Sequence, residues 1–272
     1  MVAVAVQVQI KTGSRLWWQN WGLLLLFMLP PLAAEPIRVV LEVSPPHQTF
    51  DNGQVAGLST EVVELMLQQA GLQPRYEVYP WARAFRLAAS TPNVLIYNMA
   101  RTPEREGQFD WIGKVARYQF GLLKLTSRND IKVQQLSDIH GYVVGAQRED
   151  FAVEWLKNVA KQPANRLQLQ PDVVETWRLF AKGKLDLMID DPNAIQAMLD
   201  KHQLTRADVQ FVLFVPELEL YSWIAIKKGS DPALVLRLRQ AYAEIEGSPQ
   251  LQKVLRPELT GTLTDPAFAQ AH

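Results

Sequence analysis

Arg101 and Arg105 stand four residues apart in the segment RTPER, and an arginine fork can hold a planar carboxylate through two parallel hydrogen bonds, a geometry that lysine lacks. The plainer account of Arg105 is an ion pair with Glu104, Glu106 or Asp110. Upstream, Trp81 and Arg83 share the tight sequence PWAR. An indole face can cover the apolar or cationic part of a solute and attracts alkylammonium groups well, although Trp81 and Phe85, spaced four apart, also suit a core. His47 lies in a loop with Phe50; it titrates near neutrality and can donate or accept a hydrogen bond, with plain solvent exposure as the alternative. Two acidic pairs complete the set, Glu149 with Asp150 and Asp190 with Asp191. Asp191 precedes Pro192 and reads both as a helix cap and as an acid that could face a cationic ligand.

Other chemistries lack their residues. The chain has no cysteine, which removes disulfides, thiolate metal sites, a cysteine nucleophile and a lipid-anchoring cysteine. His47, His140, His202 and His272 are scattered, with no HxH or HExxH spacing, so no metal site is expected. GxSxG, GxGxxG and GxxxxGK[ST] are absent, so nothing points to a serine hydrolase or to a nucleotide cofactor. No catalytic residues and no cofactor are assigned, and no constellation demands an enzyme.

The elements that must position these residues alternate. IRVVLE reads as a buried strand, PPHQTFDNGQVAG as loop with a turn at Asn52 and Gly53, and Leu58 to Ala70 as a helix with Val62, Val63, Met66 and Ala70 on one face. RYEVY is a second strand; Pro80 opens a helix through Trp81, Phe85 and Leu87; Val94 to Asn98 is a strand, Arg101 to Gly107 a polar turn, and Gly121 to Thr126 an apolar segment. A similar alternation restarts near Ile139. GYVVGA is a strand, Phe151, Trp155 and Val159 mark a helix face, and Leu167 to Leu169 form a short strand. Asp172 with Glu175 makes a capping box over Val173, Trp177 and Phe180, and LDLMI follows as a strand. Asp191 and Pro192 start a helix towards Leu199, FVLFV and YSWIAI are strands, and the last helices begin at Asp231 and Ser248. The class is α/β, with two lobes and a ligand cleft between them.

The N-terminus carries Lys11 and Arg15, then LLLLFMLPPLAA, a run too short and too proline-broken for a spanning helix. It is expected to be a cleaved signal peptide over 1–34, cut between Ala34 and Glu35, which directs the protein to the periplasm. With Lys11 and Arg15 gone, 26 basic residues face 28 acidic ones, a balance that attracts neither nucleic acid nor anionic lipid. No membrane insertion is expected after cleavage, and the mature chain is taken as a monomer.

Taken in order, PPHQTFDNGQVAGLSTEVVELMLQQAG, YPWARAF, NMARTPEREGQFDWIG, LSDIHGYVVGAQ, WRLFAKGKLDLMIDD and WIAIKKGSD resemble the bacterial extracellular solute-binding proteins of the polar amino-acid transporter type, family 3. The resemblance implies a two-lobed periplasmic binding protein-like fold. Lobe one would be 35–118 with 221–262 and lobe two 119–220, with crossings near 118–124 and 215–220 and a tail at 263–272. It implies binding of a small polar or zwitterionic, amino-acid-like solute and delivery to a membrane permease of an ABC transporter. Relatives on this fold also act as sensors or as small-carboxylate dehydratases, the enzyme alternative resting on Glu149 and Asp150.

Carried over by position, Arg105 is the carboxylate clamp, with Asn98, Ala100 and Thr102 upstream as its helpers. Asn98 and Ala100 depart from the family's small hydroxyl residues. Asp191 matches the acid that holds a ligand ammonium. Glu149 and Asp150 stand where the family offers glycine and threonine, and two acids there repel a carboxylate. The expected ligand-binding residues are thus Arg105, Trp81, Asp191, Asn98, Thr102, Arg101, Arg83, Asp150 and His47.

Overall fold

The computed structural model describes residues 35–218 and 220–256, so the leader expected over 1–34 and the tail at 263–272 lie outside the described residues. The apolar run IRVVL forms β1 (Ile37–Leu41), buried almost throughout. Asn52 and Gly53 take φ of 51° and 80°, the left-handed pair that a two-residue hairpin turn requires. They join β2 (Thr49–Asp51) to β3 (Gln54–Ala56), two strands too short and too exposed to show in the sequence pattern.

α1 (Leu58–Gln69) buries Val62, Val63 and Met66, as its periodicity predicts, and Gly71 follows at a φ of 62°. Next come β4 (Pro74–Val78) and α2 (Trp81–Ser90), where Pro80 is the N-cap rather than the first helical residue. β5 (Val94–Ala100) leads into α3 (Pro103–Glu106), a single helical turn within the segment expected to be irregular. β6 (Phe109–Tyr118) is a ten-residue strand that the sequence reading leaves out, because Gly113 and Lys114 interrupt its apolar run.

The chain then continues through β7 (Gly121–Leu125), β8 (Val144–Gln147), α4 (Phe151–Asn158), β9 (Leu167–Gln170), α5 (Val173–Ala181), β10 (Leu187–Asp190), α6 (Gln196–Lys201) and β11 (Val209–Phe214). β12 (Leu220–Lys227), α7 (Pro232–Ile245) and α8 (Pro249–Leu255) follow. The sheets are β4-β1-β5-β12-β6 and β11-β7-β10-β8-β9. β12 thus returns to the first sheet, antiparallel between β5 and β6, and carries α7 and α8 back onto α1. The result is a two-lobed α/β fold with a separate core on each side of each sheet.

Three local expectations need correction. Val159 is 53% exposed at the end of α4, its place in the core taken by Leu156 and Ala160. Asp172 accepts from Glu175 N at 2.8 Å, but the Glu175 carboxylate turns to Arg178 instead of reciprocating, because an opposite charge three residues on lies within easy reach. Asp191 does not cap a helix: α6 starts at Gln196 with Ile195 as its N-cap, after an intervening turn.

The chain passes between the sheets twice, from Tyr118 to Gly121 and from Phe214 to Leu220. Val215 N donates to Phe120 O at 3.0 Å, tying the two crossings together. The Tyr118 and Phe120 rings stack at 5.4 Å.

Gly113 in β6 marks the tightest contact between sheet and helix. A Cβ there would lie 2.2 Å from the Tyr242 ring of α7, which cannot swing away without losing its 2.8 Å bond to Lys114 O. Gly113→Ala is expected to cost about 1–3 kcal/mol of stability by overpacking, read as a lower urea midpoint; an unchanged midpoint would show that α7 yields.

Candidate functional site

The carboxyl ends of β1, β5, β6, β8 and β10 point into one cleft between the two sheets, the place where open α/β sheets put their ligands. It encloses about 100 Å³, which limits an occupant to a small molecule. Its walls include Trp81, Tyr118, Phe120 and Phe151, with Ser44, Gln48, Asn98, Thr176 and Ser222 between them. Among the described residues, the charged ones in the lining are all acids: Glu42 just beyond β1, Asp150 at the N-cap of α4, and Asp190 at the end of β10.

Each acid is shaped by burial. Glu42 is only 8% exposed, and desolvation holds its carboxyl well above the usual range despite a hydrogen bond from Gln147 Nε2 across the cleft. Asp190 is pushed up to about 7 by burial, opposed by donors at both oxygens, Trp177 Nε1 at 2.6 Å and Asp191 N at 2.7 Å. Neighbouring carboxylates push Glu42 and Asp190 up further. Burial also raises Asp150, but Ala152 N, at 2.8 Å, and the charge of Arg105 pull against it.

Of the residues expected from sequence, Trp81, Asn98 and Asp150 line the cleft. Asn98, at a φ of 61°, accepts from Ser59 and Ser222 hydroxyls at 3.0 Å each, while its Nδ2 is buried without an acceptor. Arg105 lies behind the wall, 2% exposed. It donates to Ala100 O at 3.2 Å and to Glu149 O at 2.8 Å, with its guanidinium 4.9 Å from the Phe85 ring. Trp81 Nε1 donates to that same Glu149 oxygen at 3.0 Å. One carbonyl of the second lobe therefore receives two side chains of the first.

The remaining five stand outside the lining. Arg101 pairs with Glu106 at 2.7 Å and lies over Trp223, because that carboxylate and ring are nearer to hand on its own surface. Arg83 covers the Tyr79 ring at 4.2 Å. Thr102 is the N-cap residue of α3, and its carbonyl accepts from Arg105 N and Glu106 N. His47 is buried rather than exposed; it bonds Ser59 Oγ at 3.0 Å, packs against Tyr118, and desolvation lowers it to about 4, so it stays neutral. Asp191 spends its oxygens on Gln119 N in the crossing, at 2.9 Å, and on Asn193 N at 2.7 Å.

The residues that the sequence reading misses are Glu42, Gln147 and the aromatic pair Tyr118 and Phe120; of the acidic pair Asp190 and Asp191 it expects Asp191 rather than Asp190 at the ligand. A charged residue ending the apolar run IRVVLE is the one signal that could have found Glu42.

Residues 37–257 match the bacterial extracellular solute-binding proteins, family 3, and the chain belongs to that family. An extracellular, periplasmic location goes with that membership. Its members generally work with ABC-transporter permeases. Comparison with curated protein sequences gave no match. Among solved structures, a histidine kinase sensor domain similar to periplasmic binding proteins superposes with a TM-score of 0.68 at 18% identity, over 81% of this chain and 94% of that one. An ancestral arginine-binding protein bound to arginine gives 0.67 at 21% identity, over 80% and 96%. A periplasmic arginine-specific binding protein of Salmonella typhimurium gives 0.67 at 14%, over 79% and 96%. At these identities the likeness is one of fold.

Asp190 sets a pH test. A carboxyl raised to about 7 in the folded chain contributes stability below its unfolded value near 3.8 that is lost as pH rises through about 7. The ligand-free protein should therefore lose denaturant stability between about pH 4 and pH 7, with a shallower slope in Asp190→Asn. Equal slopes would show that Asp190 ionises normally.

Proposed function

We propose that the protein binds a small, polar, amino-acid-like solute in the cleft and, closed upon it, is delivered to an ABC-transporter permease. The observation that carries this reading is the cleft itself. Both lobes contribute to it, it ends the strands of both sheets, and it offers aromatic walls with a few convergent polar groups. Family membership and relatives described as arginine-binding support it. Within this reading Trp81, Asn98 and Asp150 touch the solute. Arg105 acts with Trp81 on Glu149 O to hold the lobes closed, and Gln147 bonds Glu42 in the same sense. Arg101, Arg83, Thr102, His47 and Asp191 support the framework.

Solute binding to the native chain raises its melting temperature by mass action. A thermal-shift library of amino acids, amines, organic acids and sugars should give a saturable rise with one chemical class, and small-angle scattering should show a smaller radius of gyration with that ligand. Silence across the library from folded protein would overturn the reading. Arg105→Ala removes charge-assisted bonds and should weaken that ligand by at least about tenfold; unchanged affinity would remove Arg105 from closure.

A further inference from the structure

We propose that the solute is a small organic cation carrying no carboxylate, an alkylamine, diamine or guanidine, held between Glu42 of the first lobe and Asp190 of the second. This rests on the reading of the cleft as a solute site and keeps the cationic end of an amino-acid-like solute without its carboxylate.

The argument is one of charge compensation. A buried carboxylate is costly unless a cation meets it. Asp150 has the opposing charge of Arg105. Glu42 and Asp190 line the same cleft and have no ion-pair partner among the described residues; the charged groups that act on them are further acids. Their hydrogen bonds come from a neutral amide, an indole and a main-chain N–H, and a carboxylate with about four acceptor sites keeps capacity beyond these. A cation in the cleft supplies what the protein does not.

The same accounting excludes a ligand carboxylate. Among the described residues, no lysine, arginine or histidine lines the cleft. The guanidinium of Arg105 is committed to two protein carbonyls and a phenyl ring, and Asp150, Glu154, Glu104 and Glu149 surround its charge. An incoming carboxylate would meet Glu42, Asp150 and Asp190 instead. The orphan donor Asn98 Nδ2 is neutral, and a hydroxyl or carbonyl oxygen satisfies it. Tyr118, Phe120, Phe151 and Trp81 present aromatic surface, on which an ammonium or guanidinium is attracted and an anion is not.

Matched pairs that differ by one carboxylate test this directly: putrescine against ornithine, cadaverine against lysine, agmatine against arginine, histamine against histidine. Calorimetric titration of the purified chain should show at least one amine binding at least about tenfold tighter than its parent amino acid. Glu42→Gln and Asp190→Asn, each checked for folding by circular dichroism, should weaken that amine by at least about tenfold; if one variant fails to fold, the other decides. Amino acids binding as tightly as their amines would overturn the inference and leave solute binding intact. Silence from both series with a response to an anion or sugar would do the same. Silence from every class would overturn the solute-binding reading itself.

Discussion

The main-chain oxygen of Glu149 holds the two lobes at the mouth of the cleft, and the geometry of the site depends on where it points. Glu149 sits at a φ of 63°, a conformation that L residues rarely adopt, in the turn between β8 and α4. That turn does two things at once. It aims the carbonyl at Trp81 and Arg105, and it leaves Asp150 extended, at a φ of −81° and ψ of 147°, so that its carboxylate caps α4. The strained residue is thus held between a helix start on one side and two first-lobe donors on the other, the over-determination that such a backbone needs.

The crossings are likewise fixed through main-chain groups, by one side-chain acceptor and one main-chain pair. Asp191 takes Gln119 N, and Phe120 O takes Val215 N, so each segment between the lobes is bonded to the other or to the second lobe. Tyr118 and Phe120, stacked at 5.4 Å, continue this region into the cleft wall, and His47 packs behind Tyr118. The aromatic surface that lines the cleft is therefore part of the connection between lobes.

Most of the strands were legible because each is a short apolar run bounded by turn residues; β6 was not, since its Gly113 answers to the Tyr242 ring, a contact made across the fold. Of the residues expected in the cleft, Trp81 and Asp150 stand at helix starts, where sequence marks position, and Asn98 lies near the carboxyl end of β5. Asp191 and His47 show the limit. Both are polar residues beside turns, and what decides their roles is a partner distant in sequence, Gln119 for one and Ser59 for the other. Arg105 shows it differently: the motif identifies the side chain but not the acceptor, which belongs to the opposite lobe.

Closure on this pattern is a competition. The bonds to Glu149 O use protein atoms on both sides, so they favour closing whatever the cleft contains. Against them stands the desolvation of Glu42, Asp150 and Asp190, since closing removes water from three acids that burial already raises, with Asp150 and Asp190 raising Glu42 further and Asp150 raising Asp190. A neutral solute leaves that opposition in place, and an anion adds to it. On the cationic-solute proposal a cation removes it, so that the bonds to Glu149 O and the acids together would make closure selective with no arginine contact to the ligand, the preference arising from the differential stability of the closed lobes.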